Sequence, residues 1–249
     1  SGGRTMVTTP SMVEFLQERG FTKLAAWARG VDTVMFHPDK RTEQTDIYEG
    51  LTRPIWINVG RIAVEKNIKA FLDIDLPGTK VVVGDGPQRK DLERQYPDVV
   101  FTGAKFDADL AAHFANADVF VFPSKTDTFG LVIIEAMATG TPVAAYPVSG
   151  PIDIIPNSGA GIVDDDLETA CLKALHLSRD EARNHAEKYS WGAVSDVFFN
   201  YLTPEYEPLA QRRWRRTRRL MRLASSPYHF VKRNMRRVWR IIRGKSVPK

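Results

Sequence analysis

Pro54-Ile55-Trp56-Ile57-Asn58-Val59-Gly60-Arg61 decides how the rest of the chain is read. Ile55 to Val59 is rich in β-branched and aromatic residues and stops at a glycine, which predicts a buried strand followed by a tight turn. A helix signal follows at about Asn67–Leu72. The same pattern then recurs. Lys80-Val81-Val82-Val83 ends at Gly84-Asp85-Gly86-Pro87, and Pro87 suits the first turn of a helix running to about Gln95. Val99 to Thr102 ends at Gly103, and Asp107 is placed to cap a helix running to Asn116. A strand at Asp118–Phe122 precedes a helix at Gly130–Ala138, with further strands at Pro142–Ala145 and Gly161–Val163. Helices are expected at about 167–177, 179–188 and 193–201. Short strands alternating with helices need crossovers, so the pattern predicts an α/β fold with a Rossmann-like doubly wound parallel sheet. Ligands of such sheets bind beyond the carboxyl ends of the strands. That rule directs attention to loops 60–66, 84–88, 103–106, 123–130 and 146–152.

Working outward, residues 1–53 read as a connecting segment that leads into the domain of residues 54–204. Ser11 is expected to cap a short helix, Met12 to Arg19, which Gly20 ends. Trp27 to Phe36 is expected to be extended, and Arg41 to Gly50 to be a polar loop. Beyond the domain, residues 205–249 hold 15 Lys/Arg against Glu205 and Glu207, a net +13, whereas residues 1–204 hold 20 Lys/Arg against 28 Asp/Glu, a net −8. An acidic body with a basic tail points to an anionic partner for the tail.

Composition bounds the class. The chain has 249 residues, 43% hydrophobic and 26% charged, which excludes a wholly disordered chain and a disulfide-stapled miniprotein. Its single cysteine, Cys171, rules out an intrachain disulfide and fits a reducing compartment. It lies mid-helix among apolar residues and is expected in the core. No run approaches the roughly 20 apolar residues needed to span a bilayer. Ser1-Gly2-Gly3-Arg4 is not a signal peptide. The expectation is a soluble or peripheral cytoplasmic protein.

The loops carry candidate chemistry. Gly60 to Asn67 places Arg61 and Lys66 at a strand-to-helix turn, where they could neutralise a diphosphate or be two solvated charges. Gly84-Asp85-Gly86 allows close backbone approach but lacks the dinucleotide fingerprint. Asp127 precedes a helix that carries Glu135 among apolar neighbours. A carboxylate there needs a partner, and sugar hydroxyls would serve. The alternative is an Asp cap and an exposed Glu. Asp164-Asp165-Asp166 contains Asp-x-Asp, but its place before a helix favours capping over metal binding. His37, His113, His176, His185 and His229 show no metal-ligand spacing, and His113 and His185 sit on polar helices that predict surface positions.

Taken together these segments resemble family 4 glycosyltransferases. The resemblance is carried by Val59-Gly60-Arg61 with Lys66-Asn67, Val83-Gly84-Asp85-Gly86-Pro87, Ala117-Asp118-Val119 with Pro123-Ser124, and Phe129-Gly130-Leu131 with Glu135-Ala136-Met137-Ala138, Gly140 and Pro142-Val143. Gly30-Val31-Asp32 with Phe36 and Pro38 is similar to the family's lead-in to the same domain. The match runs from about residue 5 to residue 201.

The resemblance implies the carboxyl-terminal, donor-binding half of a GT-B fold and transfer of a hexose with retention, without a metal or other cofactor. The donor would be a nucleotide-sugar, a UDP- or GDP-linked hexose. Arg61 and Lys66 would bind its diphosphate and stabilise the leaving group, with Asp127 the third catalytic candidate. Glu135 would hold the ribose, and Phe129, Gly130 and Leu131 would offer backbone amides. Gly60, Gly84, Gly86 and Lys105 complete the implied donor set, with loop 103–106 near the base.

Two departures stand out. Asp127 occupies a position that is Glu in the family's paired-glutamate motif. The amino-terminal acceptor domain is missing, so it is expected in cis or on a partner chain, and the chain alone is expected to bind donor but transfer little sugar.

The tail reads as two basic helices with apolar faces, broken at Pro227, with Trp214 and Trp239 on or beside those faces. Arg212, Trp214, Arg215, Arg219, Arg236, Trp239 and Arg240 are the candidate membrane contacts, on the inner face of the cell membrane. Packing on a partner domain is the second reading and nucleic acid the third, because no readout module is visible. A membrane-held enzyme suggests a glycan or lipid-linked acceptor. A binding module on a degenerate Rossmann scaffold is the reading from another class.

Overall fold

Strand β3 (Ile55–Val59) is buried at every position, as a run with no polar face requires. Its residues part to opposite sides of the sheet. Ile55, Ile57 and Val59 join one core with Phe114, Ile133 and Met137. Trp56 joins a second with Phe71, Leu92 and Cys171. Two cores on two faces are what a doubly wound sheet produces.

The computed structural model describes residues 4–41 and 46–202. Around β3 lie β4 (Thr79–Val83), β5 (Val100–Gly103), β6 (Val119–Phe122), β7 (Val143–Ala145) and β8 (Gly161–Val163). They form a parallel six-stranded sheet in the order β5-β4-β3-β6-β7-β8. The chain winds outward from β3 to one edge, returns to β6, and winds outward to the other. The switch point is therefore the β3/β6 pair, registered Trp56 to Val119 and Ile57 to Phe120.

Helices α2 (Ile68–Leu72), α3 (Arg89–Gln95) and α7 (Leu167–Ala174) cover the Trp56 face. Helices α4 (Asp107–Asn116), α5 (Leu131–Ala138) and α8 (Arg179–Ala186) cover the other. Arg179 joins the latter group. Its guanidinium donates to the carbonyls of Ala115 and Ala117 at 2.8 Å and of Thr139 at 3.3 Å, which satisfies the chain ends of α4 and α5.

Several local expectations need correction. Thr9, not Ser11, caps the first helix, α1 (Pro10–Gln17), by accepting from the Met12 amide. Pro10 at the first helical position fixes that boundary. Ser11 instead bonds Asp153 through its amide at 2.9 Å and its hydroxyl at 2.5 Å. Two three-residue parallel strands, β1 (Thr5–Val7) and β2 (Leu24–Ala26), flank α1, and a short helix α6 (Pro151–Ile154) follows β7. Of residues 27–36, Val31 makes an isolated parallel bridge to Ser190, and residues 33–36 turn rather than continue extended. Pro87 precedes α3 rather than opening it. Asp107 is the first residue of α4, and Phe106 occupies the cap position without a side-chain bond.

His113 is buried, with Nδ1 at 2.7 Å from the Tyr48 hydroxyl, and burial pushes its pKa down to about 4. His185 is half-buried, its Nε2 at 2.7 Å from the Ile154 carbonyl oxygen. Cys171 is in the core, as expected. Asp166 caps α7 through the Glu168 amide, the role read for the Asp164–Asp166 run. The last helix among the described residues, α9, spans Trp191–Tyr201. Among the described residues, no helix is long and apolar enough to cross a membrane. The basic tail of residues 205–249 lies outside the described residues.

Candidate functional site

A cavity of about 470 Å³ opens at the carboxyl ends of β3 and β6, at the switch point. Asn58, Gly60, Arg61 and Lys66 line it from one side, and Ser124, Asp127 and Phe129 to Val132 from the other. Asn58 is the one polar residue of an otherwise apolar buried strand. Its amide donates to the Val121 carbonyl at 3.0 Å and joins β3 to β6 under the cavity floor.

The two loops over the strands are stitched together. Val64–Lys66 forms a 3₁₀ turn, and Asn67 closes it with φ of 52°. Asparagine is among the few residues that tolerate that left-handed conformation. The Asn67 side chain donates to the Pro123 carbonyl at 3.0 Å, and the Thr126 hydroxyl to the Glu65 carbonyl at 3.2 Å. Between these ties, Lys66 Nζ donates to both Asp127 oxygens, at 2.8 and 2.7 Å. Two groups read separately in the sequence thus form one ion pair. Arg61 is mostly exposed and has only a loose pair with Glu65, at 3.6 Å.

The amino end of α5 completes the cavity wall. Gly130 precedes it with φ of 82°, and no side chain caps it. Phe129, Gly130 and Leu131 all line the cavity. An uncapped eight-residue helix start facing a cavity that Arg61 and Lys66 also line suits an anion.

Glu135 lies one turn beyond Leu131 on the same helix face. Among the described residues no side chain or backbone donor pairs with it, and burial alone raises its carboxyl pKa from 4.5 to about 7. Glu135 is not part of the cavity lining.

Gly84, Gly86 and Lys105 are not part of it either. A Cβ on Gly84 would lie 1.9 Å from the Gly60 carbonyl oxygen, and one on Gly86 2.3 Å from that of Ile62. These glycines let the 84–86 turn support the Gly60–Ile62 loop from behind. A Cβ on Gly60, by contrast, meets nothing within 4 Å. Gly60 opens the cavity and Gly84 holds it in place. The 146–152 loop also acts from behind, since a Cβ on Gly150 would lie 2.7 Å from the Phe129 carbonyl oxygen.

Sequence reasoning gave no role to the polar cavity residues Thr8, Arg29, Asn58, Ser124 and Thr128. Asn58 and Ser124 carried a usable signal, each being a polar residue in or beside a buried strand. Thr8 and Arg29 come from the segment read as a connector and gave none. Among the described residues, no cluster of His, Cys, Asp or Glu could hold a metal ion.

Comparison with known proteins agrees with this geometry. The family model for glycosyl transferases group 1 matches residues 53–180. Sulfoquinovosyl transferase SQD2 of Arabidopsis thaliana is 34% identical over 221 residues, covering 79% of this chain and 43% of that protein. A GDP-mannose-dependent alpha-mannosyltransferase of Mycobacterium tuberculosis is 36% identical over 222 residues, covering 84% and 58%. The chain thus spans about half the length of these curated relatives. The crystal structure of Anabaena Alr3699/HepE in complex with UDP superposes with a TM-score of 0.65 at 19% identity, over 80% of this chain and 63% of that one.

Proposed function

The chain belongs to the glycosyl transferases group 1 family, with the Rossmann-like architecture of one half of a GT-B fold, and on that premise we propose that it supplies the nucleotide-sugar side of a glycosyl transfer. The observation that carries the proposal is the cavity at the β3/β6 switch point, where Arg61, Lys66 and the uncapped start of α5 converge. Positive charge and amides aimed at one point stabilise a diphosphate as it becomes a leaving group. In this reading Arg61 and Lys66 take the phosphates, and the amides of Phe129, Gly130 and Leu131 face the donor. Asp127 sits beside the sugar while holding Lys66, and Glu135 accepts from the ribose hydroxyls. Gly60 gives the donor room. Gly84 and Gly86 support it indirectly, and Lys105 stands on the loop proposed to lie near the base.

A nucleotide-linked hexose is the proposed donor. GDP-mannose is the first to try, because a relative with 36% identity is named for it, and UDP-hexoses follow. Transfer with retention, and without a metal or other cofactor, is proposed from the resemblance. The acceptor side is proposed to come from protein beyond the matched region, in cis or on a partner chain. A glycan or lipid-linked acceptor at the inner membrane face, with the basic tail as anchor, rests on the tail's charge.

The test is calorimetric titration of the 249-residue chain with GDP, UDP, ADP and their hexose conjugates, alongside Arg61→Ala and Glu135→Ala. Binding of one nucleotide, weakened by both substitutions, supports the donor site. A folded chain that binds none of them overturns it.

A further inference from the structure

Among the described residues, four ionisable side chains line the switch-point cavity: Arg29, Arg61, Lys66 and Asp127. Their charges are not equally available. Lys66 is held by both oxygens of Asp127, so that pair is close to neutral. Arg61 has its loose partner in Glu65. Arg29 forms no hydrogen bond or ion pair among the described residues, although it is an arginine on a cavity wall.

The backbone around Arg29 is fixed on both sides. The Trp27 amide donates to the Val7 carbonyl at 2.7 Å, and the Trp27 indole to the Val194 carbonyl at 2.9 Å. On the other side the Val31 amide donates to the Tyr189 carbonyl at 2.8 Å. Gly30 is pressed so closely on α9 that a Cβ there would lie 2.6 Å from the Trp191 ring. Arg29 therefore projects from a short strap pinned to β1, to Tyr189 and to α9. The strap fixes where the side chain starts, and the exposed Arg29 guanidinium is free to meet a ligand in the cavity.

A second polar group in the same cavity also lacks a partner. Ser124 is 1% exposed, and its hydroxyl makes no hydrogen bond. Buried polar atoms are rarely left unpaired, so this hydroxyl beside the cavity is a polar group without a partner among the described residues.

We propose that Arg29 is a further donor-binding residue, whose guanidinium takes an oxygen of the nucleotide diphosphate opposite Arg61. This rests on the donor-site reading above. A diphosphate brings about two negative charges, and with Lys66 neutralised by Asp127 the cavity wall offers two net positive charges only if Arg29 is counted. Guanidinium groups suit the task because they present paired donors to phosphate oxygens.

The experiment titrates the 249-residue chain with GDP, UDP and GMP, using Arg29→Gln, Arg29→Lys and Arg61→Ala, with a thermal melt of each to show that it is folded. The expected result is that Arg29→Gln weakens the preferred diphosphate about tenfold. It should weaken GMP less, and Arg29→Lys should fall between. Unchanged diphosphate binding in Arg29→Gln, while Arg61→Ala weakens it, overturns the role of Arg29 and leaves the donor site standing. A folded parent chain that binds no diphosphate overturns the donor site and the role of Arg29 with it.

Discussion

Glu135 gives the sharpest test of how the site is built. Its carboxyl is half-buried on α5 with no partner among the described residues, and desolvation raises its pKa from 4.5 to about 7. A folded-state value above the unfolded one means that folding resists ionisation, so Glu135 costs stability once the pH exceeds the unfolded value. The cost grows as pH rises from about 4.5 and levels off above about 7. At about 1.4 kcal/mol per unit, the full cost is about 3 kcal/mol, with only about 1 kcal/mol of it present near pH 5. Glu135→Gln keeps the shape and removes the titration. Urea unfolding of parent and variant at about pH 5 and about pH 8.5 should therefore show Glu135→Gln gaining about 2 kcal/mol on the parent across that interval. Ligand binding should run the other way. If ribose hydroxyls donate to the carboxylate, nucleotide affinity of the parent rises as pH climbs through about 7, and the variant loses both affinity and the pH dependence. Parallel stability curves for the two proteins would refute the burial argument. PH-independent nucleotide binding by the parent would refute the role in the ribose contact.

Further substitutions separate support from contact. Asp127→Asn removes the negative charge beside Lys66 and is expected to tighten GDP or UDP binding several-fold by calorimetry, while lowering sugar transfer in the complete enzyme. Gly84→Ala drives a methyl group onto the Gly60 carbonyl oxygen and should destabilise the chain by more than about 2 kcal/mol in urea. Gly60→Ala meets no neighbouring atom, but its φ of 151° strains any L side chain, so it should lower stability by about 1 kcal/mol or more as well as weaken nucleotide binding. Arg179→Met leaves the carbonyls of Ala115, Ala117 and Thr139 without their donor and should cost about 3 kcal/mol or more, read from the urea midpoint.

What the sequence revealed follows from range. β3, β4 and β6 were legible because a buried parallel strand must be apolar on both faces, and such runs stand out beside glycine. The three-residue strands β1 and β2 were not, since so short a segment carries no period. Thr9 rather than Ser11 was recoverable from Pro10 alone, through its preference for the first helical position. His113 was misplaced because α4 looks polar along the chain, while the Tyr48 that covers it lies 65 residues away. The same limit applies at the site. The sequence placed Arg61, Lys66 and Asp127 on loops that do meet, but the bond between Lys66 and Asp127 joins residues 61 positions apart. Nothing local marked Arg29, which comes to the cavity through the pairing of β1 with β2 and the docking of α9.

The Lys66–Asp127 pair also bears on what an aspartate does where the family pattern has a glutamate. An ammonium has three donors, and Asp127 takes two of the three Lys66 N–H groups through its two oxygens. One remains for a phosphate oxygen, so Lys66 can touch a donor without leaving its partner. The shorter carboxylate is drawn to the lysine side of the cavity, and a neutral pair adds direction there but little net charge. Attraction for a diphosphate then falls to groups without strong internal partners. In this cavity those are the amides at the start of α5, the loosely held Arg61 and the unpaired Arg29.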